Sequence, residues 1–144
     1  MITSHATCVA IAGYGVLLRA PSGGGKSDLA LRLIDSGAVL VGDDYCTLTA
    51  DDGRLIASAG PGLAGLLEVR GLGIVRLPHL PRAEVRLAVD LRPGGPIERM
   101  PEPARTDVAG VSLPLVALDP FEASAPAKVR LAMRLATGDI SGAG

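Results

Sequence analysis

The chain has 144 residues, of which 48% are apolar, with 14 basic and 15 acidic side chains and a formal charge of -1. That length carries one domain with a real core, and the charge balance excludes a broad electrostatic footprint for nucleic acid or an anionic membrane. The aromatic residues, Tyr14, Tyr45 and Phe121, are too few to form a stacking platform for a nucleic-acid strand. No apolar run reaches the length of a membrane span. No positively charged region precedes the apolar part of MITSHATCVAIAGYG, so no signal peptide is expected and the protein is placed in the cytoplasm. Cys8 and Cys46 sit in apolar runs and read as buried small hydrophobes, not as a disulfide framework.

In chain order, residues 6–12 and 16–20 are short β-type runs around Gly13-Tyr14-Gly15, a hairpin with a glycine turn. From Ser27 to Ser36, Leu29, Ala30, Leu33 and Ile34 fall on one helical face and Leu31 widens it; Gly37 supplies the stop. Ala38–Gly42 is a continuous apolar run, as a buried strand requires, and ends in Asp43-Asp44. Tyr45–Thr49 and Arg54–Ser58 flank Asp51-Asp52-Gly53 as a second hairpin. Leu63–Arg70 reads as a short helix or an irregular segment, and Ile74–Leu77 and Val85–Leu91 as strands. Residues 92–106, rich in proline and glycine, read as an extended loop. Val111–Leu118 reads as an edge strand, because Pro114 interrupts it. Ala125–Ala136 is a last helix with Pro126 in its first turn, and the tail from residue 137 is expected to fray. There is no internal repeat and no domain boundary, so residues 1–144 are expected to form a single domain.

Residues 20–27, Ala20-Pro21-Ser22-Gly23-Gly24-Gly25-Lys26-Ser27, fill the spacing of a phosphate-binding loop, with Ala20 where the strict pattern has glycine. Glycines let successive backbone N–H groups turn toward one anion, and the helix that starts there adds its positive dipole end. Lys26 reaches the terminal phosphates and the Ser27 hydroxyl ligates Mg²⁺. Asp43 and Asp44 lie at the C-terminal end of the next strand, where open α/β sheets bind their ligands. Alternation along a strand sends adjacent side chains to opposite sides, one toward a metal and the other toward an acceptor group. Glu68 and Arg70 stand in LLEVRGLGIV, and His5 near the start; by themselves these read as a charged turn and a surface residue.

Taken together, the order His, hairpin, glycine loop, helix, Asp-Asp and then Glu-x-Arg-Gly-Leu-Gly resembles the C-terminal catalytic domain of the bacterial HPr kinase/phosphorylase family. The resemblance covers residues 4 to about 100 well and the remainder poorly, and the Glu-x-Arg-Gly-Leu-Gly signature is its most specific part. It implies an α/β fold with a P-loop kinase core of the HPr kinase or PEP carboxykinase-like type, a mixed sheet and few helices. It implies ATP and Mg²⁺ as cofactors and a serine of the phosphocarrier protein HPr as acceptor, with phosphorolysis as the reverse reaction. By position it makes His5, Lys26, Asp44 and Arg99 catalytic, gives residues 20–27 to the nucleotide, and gives Ser27, Asp43 and Glu68 to the metal. Asp44 matches the carboxylate that takes the serine proton. On this resemblance residues 1–144 are expected to correspond to the catalytic domain, without a counterpart of the family's N-terminal domain. Where the family has a Pro-Gly-Arg loop, residues 118–130 read LDPFEASAPAKVR, which resembles the short form of some proteobacteria. The family forms a hexamer, and the resemblance implies a homo-oligomer here. A small-molecule kinase or nucleotide hydrolase, and a nucleotide-binding regulatory module, would use the same loop.

Overall fold

The computed structural model describes residues 1–143. The elements are β1 (Ile2–Ser4), β2 (Thr7–Ile11), β3 (Tyr14–Arg19), α1 (Lys26–Asp35), β4 (Val39–Gly42), β5 (Cys46–Asp51), β6 (Arg54–Ala59), β7 (Leu66–Val69), β8 (Gly73–Arg76), β9 (Ala83–Leu91), β10 (Ala104–Val108), β11 (Val111–Leu118) and α2 (Ala125–Ala136). Nine strands make one mixed sheet in the order β1-β5-β6-β9-β3-β2-β4, with β11 also on β9 and β10 outside β11; β7 and β8 pair only with each other. None of the described helices is long and apolar enough to cross a membrane.

Strand direction decides where a site can form. β9 runs parallel to β3 and to β11. β2 is antiparallel to both β3 and β4, so β4 runs with β3 as well. The C-terminal ends of β3, β4, β9 and β11 therefore share one end of the sheet, and the segments 20–25, 43–45, 92–103 and 119–124 all leave from it. β2 runs the other way and brings His5 and Thr7 to that same end.

Alternation along the central strands, shifted by one residue at an irregularity between Val85 and Leu87 of β9, divides the core between two faces. Val16 and Leu18 of β3, with Leu87 and Val89 of β9, face α1 and α2, which contribute Leu29, Ala30, Leu33, Val129 and Met133. Leu17, Val85 and Ala88 point the other way, into a second cluster with Cys8, Val41, Leu48, Leu55 and Leu113. Among the described residues no helix covers that second face. The sheet curls on itself instead: Gly42 of β4 packs onto β6, where a Cβ at position 42 would stand 2.9 Å from Ala59 Cα. The outer edge of β4 is covered at Leu40 by the segment after β8, through the Leu80 N–H bond to Leu40 O at 2.9 Å and the Leu40–His79 bridge.

Most expected elements are present, and the departures have physical causes. The first hairpin turns at Ala12-Gly13, both with positive φ, a two-residue turn of the kind that matches strand twist. Gly15 is inside β3 because the sheet needs it small: a Cβ there would lie 3.1 Å from Cys8 Sγ. Leu63–Arg70 is not helical. Its second half is β7, in which Leu67 is buried between outward-facing neighbours, a period of two that four residues are too few to announce. The loop after β9 stops at residue 103, and 104–106, read as its end, open β10. β11 is consequently not an edge strand. It lies between β10 and β9, and the stretch that pairs with β9, Leu115–Leu118, begins just after Pro114. α1 ends as a Schellman motif, with Gly37 N–H on Ile34 O and Ala38 N–H on Leu33 O, both at 3.0 Å. Of the tail, Asp139 is drawn back onto α2 by Arg134 at 2.6 Å, and Gly144 lies outside the described residues.

Candidate functional site

The glycine loop joins β3 to α1 and opens into a cavity of about 720 Å³ lined by Ser22–Asp28 and Leu31 on one side, Glu68–Gly71 and Gly73 of the β7–β8 hairpin on another, and Asp44 and Phe121. Steric room explains the loop's sequence. A Cβ at Gly24 would meet Ala20 Cβ at 2.6 Å and Pro21 O at 2.7 Å, so position 20 must be small but need not be glycine. Gly23 and Gly25 both have positive φ, and no side chain caps α1. Among the described residues no acceptor takes the N–H groups of Gly23, Gly25, Lys26 or Ser27. These donors converge at the positive end of a helix dipole, which suits an anion. Lys26 is 5% exposed and its ammonium donates to Ala20 O at 3.1 Å, so its stem is packed and its charge is held at the mouth of the loop.

Asp43 and Asp44 have separate surroundings. Asp43 is 5% exposed. Its Oδ1 accepts from Thr7 Oγ1 at 2.9 Å and Ser27 Oγ at 2.7 Å, and its Oδ2 accepts from the Glu68 backbone N–H at 3.1 Å. The Asp44 side chain is 51% exposed and meets His5 Nε2 at 2.8 Å. The two residues lie past the end of β4, in a tight turn closed by Tyr45 N–H on Asp43 O at 2.7 Å, with Asp44 at φ +67. A three-residue turn with positive φ at its centre is rare and strained. The Asp44 N–H donates to Thr7 Oγ1 at 3.1 Å, so one buried hydroxyl secures both aspartates. The sides differ as alternation suggests, but the turn is what separates them.

His5 Nε2 also lies 3.4 Å from Lys26 Nζ. One ring nitrogen cannot donate to Asp44 and accept from Lys26 together. An ionised carboxylate only accepts, so the short contact puts the proton on Nε2 and leaves the lysine as a neighbouring charge. His5 is fixed from its other side by Tyr45, with ring centroids 5.1 Å apart.

For a divalent cation the available groups are Ser27 Oγ, the Glu68 carboxylate, which is exposed on the cavity wall, and Asp43 behind Ser27. No three His, Cys, Asp or Glu side chains gather into a metal cage among the described residues. A hydroxyl and one or two carboxylates fit Mg²⁺, which takes few protein oxygens and fills its shell with phosphates and water. Thiol chemistry does not belong to the site. Burial and the neighbouring Asp43 carboxylate push the Cys46 thiol up to about 12, and burial raises Cys8 as well.

The structure thus brings together His5, the loop 20–27, Asp43, Asp44 and Glu68. Arg99 stands apart: it is exposed on the loop after β9, at the same end of the sheet but outside the cavity lining. Thr7 was not legible as a site residue. Its one signal is a hydroxyl opening an otherwise apolar strand.

Residues 1–84 match the family model described as HPr Serine kinase C-terminal domain. The chain belongs to that family. The matched stretch carries every site residue above except Phe121 and Arg99. The HPr kinase/phosphorylase of Clostridium tetani is 45% identical over 76 residues, 53% of this chain and 25% of the relative. That of Geobacillus thermodenitrificans is 39% identical over 95 residues, 60% of this chain and 31% of the relative. The chain therefore spans between a quarter and a third of these curated relatives. The structure of the Hpr(Ser) kinase/phosphatase from Coxiella burnetii superposes with a TM-score of 0.84 at 26% identity, covering 99% of this chain and 100% of that one. The fold is the mixed α/β architecture of that HPr kinase structure, with a mixed sheet and two helices.

The network makes Thr7 a testable support. Thr7→Val keeps the shape but removes one donor from the buried Asp43 and the acceptor of the Asp44 N–H. The expected loss is about 1–3 kcal/mol of stability, read as a lower urea midpoint at unchanged m-value. An unchanged midpoint would remove Thr7 from the network's support.

Proposed function

We propose that the chain transfers the terminal phosphoryl group of ATP, with Mg²⁺, to a serine hydroxyl of an HPr-type phosphocarrier protein. The observation that carries this reading is the meeting of His5, Lys26 and Asp44 at the mouth of the glycine loop, with a carboxylate 2.8 Å from an imidazole and an ammonium 3.4 Å from the same nitrogen. A phosphate site needs the cation and the free N–H groups; a kinase also needs an accessible base, which Asp44 supplies. The relatives named for HPr support the choice of acceptor.

In this reading residues 20–27 hold the phosphates through backbone N–H groups and Lys26. Ser27 and Glu68 would hold Mg²⁺, which would supply charge neutralisation on the phosphoryl oxygens. Asp43 orients Ser27 through the 2.7 Å bond. Asp44 takes the proton of the serine hydroxyl as its oxygen attacks phosphorus and the bond to ADP breaks. A serine hydroxyl ionises far above neutral pH, so this base acts during transfer and not before it. His5 donates to Asp44 and fixes the carboxylate's direction. In reverse, protonated Asp44 returns its proton to the leaving serine oxygen while inorganic phosphate attacks.

The test is transfer of labelled phosphate from Mg-ATP to purified HPr. Lys26→Ala is expected to lower transfer by about 10³-fold or more, since it removes a charge from the developing transition state. A variant that keeps a tenth of the activity would take the loop out of the mechanism. Asp44→Asn is expected to bind ADP normally but transfer about 10²–10⁴-fold more slowly, the usual worth of a general base. Normal transfer by Asp44→Asn would defeat the assignment, and an unmodified protein that binds Mg-ATP but labels no acceptor would favour a regulatory module.

Glu68→Gln replaces a hard oxygen anion with a weaker ligand. Its activity curve should move to higher Mg²⁺ concentration with little change at saturation. An unshifted curve would leave Glu68 with only its backbone role toward Asp43.

A further inference from the structure

The cavity lining is of two kinds. Lys26 and Asp44, with His5 behind them, account for the phosphoryl chemistry, whereas Leu31 and Phe121 are apolar and take no part in it. Phe121 is the only phenylalanine of the chain and is 58% exposed. The core does not require it. Yet it is held firmly. Arg32 of α1 donates to the carbonyl oxygens of Pro120 and, at 3.3 Å, of Glu122, and the Phe121 N–H donates to Asp119 Oδ1 at 3.0 Å. Its ring rests on the glycine loop: a Cβ at Gly25 would be 3.2 Å from both Cε1 and Cζ. A large apolar ring fixed beside a phosphate-type loop, half in water and with Leu31 on the same cavity wall, has the features of a stacking surface for a planar group attached to a phosphate.

We propose that Phe121 is the base-stacking residue of the nucleotide site, taking the base of a purine nucleotide on its ring while the loop holds the phosphates. This rests on the reading of residues 20–27 as a phosphate loop. The cavity of about 720 Å³ lies in the range that encloses small-molecule ligands. One aromatic ring serves one base, since every base has a π-face, and purines offer the larger one. Because Arg32 holds the backbone turn that carries the ring before any ligand arrives, little backbone ordering is left to oppose binding. Phe121 is a binding and positioning residue here, with no role in bond making.

The experiment compares a ligand with a base and one without. The full chain is titrated calorimetrically with Mg-ADP and with Mg-pyrophosphate. The unmodified protein should bind ADP at least about tenfold more tightly, the scale of one base–aromatic stack. Phe121→Ala should erase that preference by weakening ADP alone and leaving pyrophosphate within about twofold, and Phe121→Tyr should retain it. Because the chain has no tryptophan, Phe121→Trp adds a single reporter whose emission should respond to ADP and not to pyrophosphate. Equal affinity for the two ligands in the unmodified protein would overturn the proposal while leaving the phosphate loop in place. Equal weakening of both by Phe121→Ala would also overturn it, making Phe121 a prop of the loop. Binding of neither ligand would defeat the phosphate-loop reading and this inference with it.

Discussion

A carboxylate removed from water must find its hydrogen bonds within the protein, because an unpaired buried charge costs several kcal/mol or more. Asp43 finds three. Thr7 comes from β2, Ser27 from the first turn of α1 and the Glu68 N–H from β7. One side chain thereby fixes the distance between the glycine loop, the strand that carries His5 nearby, and the hairpin that walls the cavity. Everything proposed for the site depends on that bond set. The Ser27 hydroxyl is held in one direction because Asp43 accepts from it. Glu68 reaches the cavity because its own N–H is anchored. Asp44 is thrown outward because the turn after Asp43 has nowhere else to send it.

The sheet supplies the frame for this. Parallel β3, β9 and β11, with β4 running the same way, deliver four chain segments to one end. The curl that closes the second core leaves that end open. Gly42 allows the curl where β4 crosses β6, and the Asp43–Asp44 turn begins directly after it. The turn is short, strained at Asp44 and backed by Thr7. Such strain persists only where the surroundings over-determine it, and the Asp43 network is what does so.

The local pattern made much of this legible. The helical face of Leu29, Ala30 and Leu33, the Gly37 stop, the Asp52-Gly53 hairpin, the boundaries of α2 and the glycine loop's spacing are all properties of neighbouring residues, and neighbouring residues fix them. The elements missed were those whose signal is not local: β1, a strand of three residues paired with β5, β7 and β10. β7 has four residues and becomes a strand only because β8 pairs with it. β10 begins in a stretch dominated by proline and glycine and is a strand because β11 lies beside it. Pro114 pointed to an edge, yet β11 lies inside the sheet because pairing to β9 starts one residue later.

For the site the same division holds. The sequence by itself determined which residue types were present: a small-residue loop ending in Lys26 and Ser27 and paired carboxylates after a buried strand, short-range patterns whose chemistry follows from their spacing, and the Glu68 signature, which alone reads as a charged turn and takes a metal role only from the family resemblance. Only the tertiary structure decided which of them meet. His5 and Asp44 are 39 positions apart, and Arg99 lies outside the cavity. Phe121, 96 positions after Gly25, rests on the loop because Arg32 pins the turn that carries it. Such contacts come from strand direction and sheet curl. These depend on how the whole chain buries its apolar faces, and no short stretch of sequence holds that information.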